Sequence, residues 1–133
     1  MKVIVCLDEN LGMLFNQRRL SRDRKVIEDI CKRTEKLYIC PFSEGLFQDA
    51  TIEICSNEKV LEQAKVGDVC FIENQLLAPY LNLIEELIVY QWNRSYPSDV
   101  QLDISLQEWK QVSEEEFVGF SHEKITRQVY VRG

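Results

Sequence analysis

The chain has 133 residues, a formal net charge of −6 and five cysteines. That length predicts a single domain, residues 1–133, with a core large enough to need neither disulfides nor a metal. The 45% hydrophobic and 10% aromatic content excludes a disordered chain, and no apolar run approaches the ~20 residues of a membrane-spanning helix.

The first predicted element is a strand, Lys2 to Leu7 (KVIVCL), apolar and β-branched enough to be buried on both faces. The turn cluster DENLG follows, ending in Gly12. The apolar run before Asp8 is too short for a secretory signal, so a cytoplasmic protein is expected. Ser21 to Arg33 predicts a helix. Ser21 is its candidate N-cap, Asp23 falls in its first turn, and Val26, Ile27, Ile30 and Cys31 form one apolar stripe. Leu37 to Cys40 is a second strand, stopped by Pro41. Phe42 to Asp49 reads as an irregular connection, and Thr51 to Cys55 as a third strand. Ser56 caps a helix carrying Val60, Leu61 and Ala64, which ends near Gly67. Asp68 to Ile72 is a fourth strand, Asn74 to Tyr80 a short helix interrupted by Pro79, and Ile84 to Trp92 contains a fifth strand. Strands and helices alternate this far, which implies crossover units and a parallel sheet. Beyond SYPSD the pattern changes. Glu108 to Val112 and Lys124 to Val131 are strand-like with no amphipathic helix between them, which implies an antiparallel pair. The Glu114–Glu116 run between them reads as a solvated loop. The expected fold is therefore an α/β sandwich with a mostly parallel central sheet and an antiparallel C-terminal hairpin.

Few residues carry obvious chemistry. The cysteines (Cys6, Cys31, Cys40, Cys55, Cys70) are odd in number and widely spaced, which argues for reduced thiols rather than a disulfide framework. With His122 the only histidine and no CxxC pair, no metal site is expected, and His122 alone suggests no catalytic site. Ser43 and Ser121 lack a nucleophile-elbow context, and Trp92 and Trp109 read as packing residues. The acidic balance speaks against bulk nucleic-acid binding. One segment departs from it: Gln17 to Lys25 holds Arg18, Arg19, Arg22, Arg24 and Lys25 against Asp23, a net +4 that leaves −10 for the rest of the chain. Arg18, Arg19, Arg22 and Arg24 are the candidate site for an anion or a protein partner. Nucleotide or RNA binding through them is a third reading, which salt dependence would reveal.

Taken in order, these pieces resemble the dihydrofolate reductase family. KVIVCLDENLGM is similar to that family's first strand and following loop, and LSRD (Leu20–Asp23) to the LPxD opening its first helix. ELIVYQW, the SYPSD turn with Asp99 at the family's GD, EWKQV and the closing KITRQVYVRG continue the likeness over nearly the whole chain. The resemblance implies a three-layer α/β sandwich and, in a working enzyme, NADPH-dependent hydride transfer to a dihydropteridine. Asp23 matches the family's buried carboxylate. That role needs an acid of raised pKa in an apolar cleft, whereas Arg22 and Arg24 beside it act in the opposite direction.

Other matching positions are substituted. Tyr90 stands where the family has a supporting threonine, and its phenol is expected to fill space a pteridine would occupy. Arg18 or Arg19 lies near the place of a usual tryptophan. The phosphate-binding G-R-x-[ST] element is replaced by Cys40, Pro41, Phe42 and Ser43, which offer no arginine and one fewer backbone donor. A cofactor-contacting glycine pair is replaced by Glu73 and Asn74. A free carboxylate about 4 Å from a diphosphate would be repelled by roughly 4 kcal/mol at an effective dielectric of 20. The expectation is a shortened, degenerate reductase-like protein with no cofactor, acting as a binding or regulatory module for an unknown protein or a small anionic ligand, with no membrane partner and a homodimer possible. The alternative is a divergent NADPH-dependent dihydrofolate or pteridine reductase using Asp23.

Overall fold

The computed structural model describes Met1–Arg132. The strands are β1 (Lys2–Leu7), β2 (Gly12–Phe15), β3 (Arg18–Arg19), β4 (Lys36–Ile39), β5 (Glu53–Ser56), β6 (Val69–Phe71), β7 (Glu86–Gln91), β8 (Val100–Gln101), β9 (Trp109–Phe117) and β10 (Ile125–Arg132). The helices are α1 (Arg24–Arg33) and the single turn α2 (Val60–Gln63). Three 3₁₀ turns cover Pro41–Phe47, Ala78–Leu83 and Leu106–Glu108.

Seven strands form the central sheet in the order β5-β4-β6-β1-β7-β10-β9. The first five run parallel, and β10 lies antiparallel between β7 and β9. The expected parallel sheet with its C-terminal hairpin is therefore present. Period-two alternation along β1 and β7 feeds two cores. Val3, Val5, Leu7, Leu87 and Val89 belong to one, together with Val60 and Leu61 of α2. Ile4, Ile88, Tyr90 and Trp92 belong to the other, which is covered by Val26 and Ile30 of α1 and by Phe47. Ile30 has no exposed surface, and its burial is worth about 2–3 kcal/mol.

Several elements differ from the sequence expectation. Helix α1 starts three residues later than Ser21, because Asp23 has extended backbone (φ −154°, ψ 126°) and its carboxylate accepts the Lys25 N–H. Asp23 is thus the N-cap and not a first-turn residue. The loop expected after β1 instead contains β2 and β3, which join β8 in a small sheet of order β3-β2-β8. Asn16 and Gln17 both have positive φ (50° and 63°) and close the tight β2–β3 hairpin. Pro41 opens a 3₁₀ turn where an irregular connection was expected, and Pro79 likewise sits at the start of its turn rather than interrupting a helix. The Glu114–Glu116 run is not a loop but part of edge strand β9, where charged side chains guard the exposed edge. Gln111 and Ser113 pair with adjacent β10 residues, so a bulge falls between them.

Candidate functional site

Strands β1, β6 and β7 end together, and the crevice beyond the carboxyl ends of parallel strands is where α/β folds place ligands. The loops there are knitted by Asp8, which is fully buried just past β1. Its Oδ1 accepts the N–H groups of Gly12 (2.6 Å) and Asn10 (2.9 Å), and its Oδ2 accepts that of Tyr96 (3.0 Å). A Cβ on Gly12 would sit 2.7 Å from Ser98 Oγ and 2.8 Å from Asp8 Oδ1, so only glycine fits this crossing.

Glu73 follows β6 and turns into the crevice. Its side chain is 9% exposed. Arg19 Nε donates to Glu73 Oε1 at 2.8 Å and Arg19 Nη2 to Oε2 at 2.9 Å, a forked pair. Ser43 Oγ donates to the same Oε2 at 2.6 Å, and Arg19 Nη2 also reaches the Phe42 carbonyl at 3.3 Å. The guanidinium lies 5.2 Å from the centre of the Phe42 ring. Glu73 is therefore compensated, not the bare charge that its position in the sequence suggested. Arg19 is correspondingly drawn out of the basic cluster and into the crevice. Arg18 and Arg22 remain exposed, and Arg24 is exposed with its guanidinium 3.7 Å over Phe120. Cys40 is buried and Pro41 exposed beside this pair, while Asn74 is exposed.

Asp23 lies 5% exposed on the other side of the crevice. Oδ1 accepts the N–H groups of Lys25 (2.9 Å) and Phe120 (2.8 Å). Oδ2 accepts the Ser121 N–H (2.9 Å) and faces His122 Nδ1 at 2.8 Å. Burial by itself would raise this carboxyl. The Phe120, Ser121 and Lys25 amides and the imidazole together outweigh it and hold Asp23 well below the usual carboxylate range. This is the reverse of the raised acid that proton delivery to a pteridine requires. His122 is buried, stacked on Trp92 at 4.7 Å between ring centres, and its Nε2 meets Ser21 Oγ at 2.8 Å. With no second His or CxxC pair the sequence gives His122 no chemical role, and its partners Ser21 and Asp23 lie about a hundred residues away along the chain, so no local pattern links them.

Between Glu73 and Asp23 the crevice holds a cavity of about 20 Å³, walled in part by Cys6, Met13, Ser21, Phe71 and Trp92. That volume accommodates about one water molecule. Burial pushes the Cys6 thiol far up, with Glu73 adding to the effect, so Cys6 is inert. Tyr90 is not a wall of this cavity. Its phenol lies beneath α1, donating to Asp29 Oδ2 at 2.6 Å, and Arg127 grips the same carboxylate at 2.7 and 2.8 Å. The expectation that Tyr90 fills the crevice is corrected: Arg19 and Glu73 occupy it. Among the described residues no group of three or more His, Cys, Asp or Glu side chains could hold a metal.

No family model and no curated protein sequence matches the chain. Among solved structures it is similar to dihydrofolate reductase from Enterococcus faecalis complexed with NADP(H) and RAB-propyl, with a TM-score of 0.70 over 99% of this chain and 95% of that one. The fold is that of dihydrofolate reductase. At 11% identity the likeness shows the fold alone. Within that fold, Asp23 at the start of α1, Glu73 after β6 and Trp92 after β7 border one crevice. Among the described residues no helix is long and apolar enough to cross a membrane.

Proposed function

We propose that this chain is a dihydrofolate reductase-fold protein without reductase activity, working as a binding or regulatory module. The observation that carries the reading is the Arg19–Glu73–Ser43 cluster in the crevice between β6 and α1. A dihydropteridine ring needs far more room than the adjoining 20 Å³, and the cluster closes the Glu73 side of that cavity. Asp23 supports the same reading, since both its oxygens are engaged by Lys25 and the 120–122 loop.

The residues present do not fit NADPH, the cofactor that the structural neighbour binds as NADP(H). Where a diphosphate would approach the end of β6, the buried Glu73 carboxylate stands instead, already paired. After β4, Pro41 brings no N–H and the 3₁₀ turn holds no basic side chain. The exposed arginines Arg22 and Arg24, which wall the groove beside the crevice, and the exposed Arg18 on β3 suit a protein partner or a small anionic ligand.

The test is a thermal melt of the full chain with and without millimolar NADPH, together with a dihydrofolate turnover assay. The expected result is an unchanged Tm and no turnover. A ligand at 100 times its Kd would add about 2.7 kcal/mol, a displacement easily seen. NADPH stabilisation with turnover that disappears in Asp23→Asn would overturn the proposal in favour of a divergent reductase.

A further inference from the structure

We propose that Ser21, His122 and Asp23 form a nucleophilic relay that takes a short acyl group onto Ser21 Oγ. The geometry is a continuous chain of hydrogen bonds: Ser21 Oγ to His122 Nε2 at 2.8 Å, and His122 Nδ1 to Asp23 Oδ2 at 2.8 Å. The local backbone explains how two residues so close in sequence serve opposite ends of one ring. Asp23 is extended, and side chains two apart on an extended segment share a face about 7 Å apart. The imidazole of His122 spans that gap.

The polarity of the relay follows from the donors and acceptors. Asp23 is held as a carboxylate by three backbone amides, so it can only accept. His122 Nδ1 is therefore the N–H donor, Nε2 of the neutral ring is the acceptor, and the Ser21 hydroxyl donates to it. Stacking on Trp92 fixes the ring plane. This is the arrangement in which a histidine serves as base for a hydroxyl nucleophile, recognised by geometry and roles rather than chain order. Ser21 is half-buried and lines the crevice cavity. The Arg22 N–H, next after the nucleophile, donates to no described residue. In the proposal this N–H serves the carbonyl oxygen.

In the reaction Ser21 Oγ attacks an ester carbonyl carbon. Its proton passes to His122 Nε2, the C–O bond to the leaving group breaks, and the proton goes to the departing oxygen. Water then attacks the acyl-serine by the same route, giving a carboxylic acid and free Ser21. Cavity size selects the acyl group. The space beside Ser21 is about water-sized, so the smallest acyl group, acetyl, is favoured over longer ones. A wider groove of about 370 Å³ shares Arg22, Asp23, Ile27 and Leu46 as walls, and is open to the leaving group. Asp23 would serve either reaction, but acyl transfer is read by labelling of Ser21 and hydride transfer by NADPH-dependent turnover, so this inference and the absence of reductase activity are tested separately.

The experiment uses the full chain with p-nitrophenyl acetate and p-nitrophenyl butyrate, and separately with a fluorophosphonate probe read by intact and peptide mass. Expected are one fluorophosphonate adduct, on the peptide carrying Ser21, and nitrophenol release favouring acetate over butyrate. Ser21→Ala should melt as a folded protein, take no label and lose at least about a hundredfold in turnover. His122→Gln should lose the label while Ser21 remains in place. The proposal is overturned if the folded wild type takes no adduct, if the adduct falls on Ser121 or elsewhere, or if Ser21→Ala hydrolyses acetate as fast as wild type. A purely structural Ser21–His122 contact would change the melt and leave all of these readouts at background.

Discussion

Removing Arg19 should destabilise this protein more than removing the charge on Glu73, even though the two make the same contacts with each other. Breaking a buried ion pair by deleting one partner costs about 3–5 kcal/mol, because the survivor is left buried and uncompensated. Two features moderate this for Arg19→Ala. The Arg19 side chain is 25% exposed, so water can enter behind it, and Ser43 Oγ still serves Glu73 Oε2. About 2–3 kcal/mol remains. For a chain of this length unfolding entropy near Tm is about 0.28 kcal/mol/K, so Tm should fall by about 9 °C. Glu73→Gln keeps the shape and an acceptor oxygen, and leaves a guanidinium that can swing outward to solvent. It should cost only about 1 kcal/mol. The double variant should be no worse than Arg19→Ala alone, because no orphaned carboxylate remains. Urea denaturation followed by tryptophan fluorescence suits the measurement, since Trp92 and Trp109 are both buried and lie in different cores. The reasoning is refuted if Glu73→Gln is the more damaging single change, or if the two effects simply add.

Two further predictions concern the Asp23 lock. Its folded-state carboxyl is depressed, so its contribution is complete above the unfolded value of about 4 and is lost as pH falls below it. Asp23→Asn should therefore lower stability by about 2 kcal/mol at pH 7, with the gap to wild type narrowing below pH 4; urea midpoints across that range decide it, and an undiminished gap at pH 3 contradicts the assignment. Gly119→Ala should destabilise by about 1–3 kcal/mol, because its Cβ would meet Asp23 Oδ2 at 2.6 Å, Ile125 Cδ1 at 2.8 Å and the His122 carbonyl at 3.0 Å. A melting temperature equal to wild type would show that the 119–122 loop gives way freely.

The fold was largely legible because its information is periodic. β1 and β7 announce themselves by β-branched runs, and α1 by Val26 and Ile30 one turn apart. The β2–β3 hairpin was not legible, since Asn16-Gln17 lacks the glycine that marks such turns. Helix α2 was legible from Val60 and Leu61, which are buried as expected, but it is a single turn capped by Lys59 and not Ser56, and it stops at Gln63. The site was legible only by position. Asp23, Glu73 and the arginines were singled out, but the partners that decide their state lie far along the chain, Arg19 54 residues from Glu73 and His122 99 from Asp23. Whether Glu73 is a free charge or half of a pair depends on a contact that no local pattern encodes. Tyr90 shows the same limit. Its place on β7 was correct, yet Asp29, one turn from its helix's buried stripe, draws the phenol away from the crevice.

The fold and the crevice answer to different constraints in this chain. The sheet is secured by Val3, Val5, Leu7, Leu87 and Val89 on one face and Ile4, Ile88 and Ile30 on the other, all upstream of the strand ends. Such a core requires hydrophobic volume and correct alternation, which many sequences supply, so 11% identity is compatible with a shared architecture. Polar residues beyond the strand ends, such as Glu73 and Arg19, belong to neither core. Glu73 and Arg19 can replace other chemistry there for a few kcal/mol, without disturbing β6 or β1. Asp23 is different. It caps α1 through Lys25 and at the same time holds the β9–β10 loop through Phe120, Ser121 and His122. Its carboxylate is therefore fixed by folding before any ligand arrives. A charge placed in this way, with a histidine already oriented against it, is preorganised for the relay proposed for Ser21.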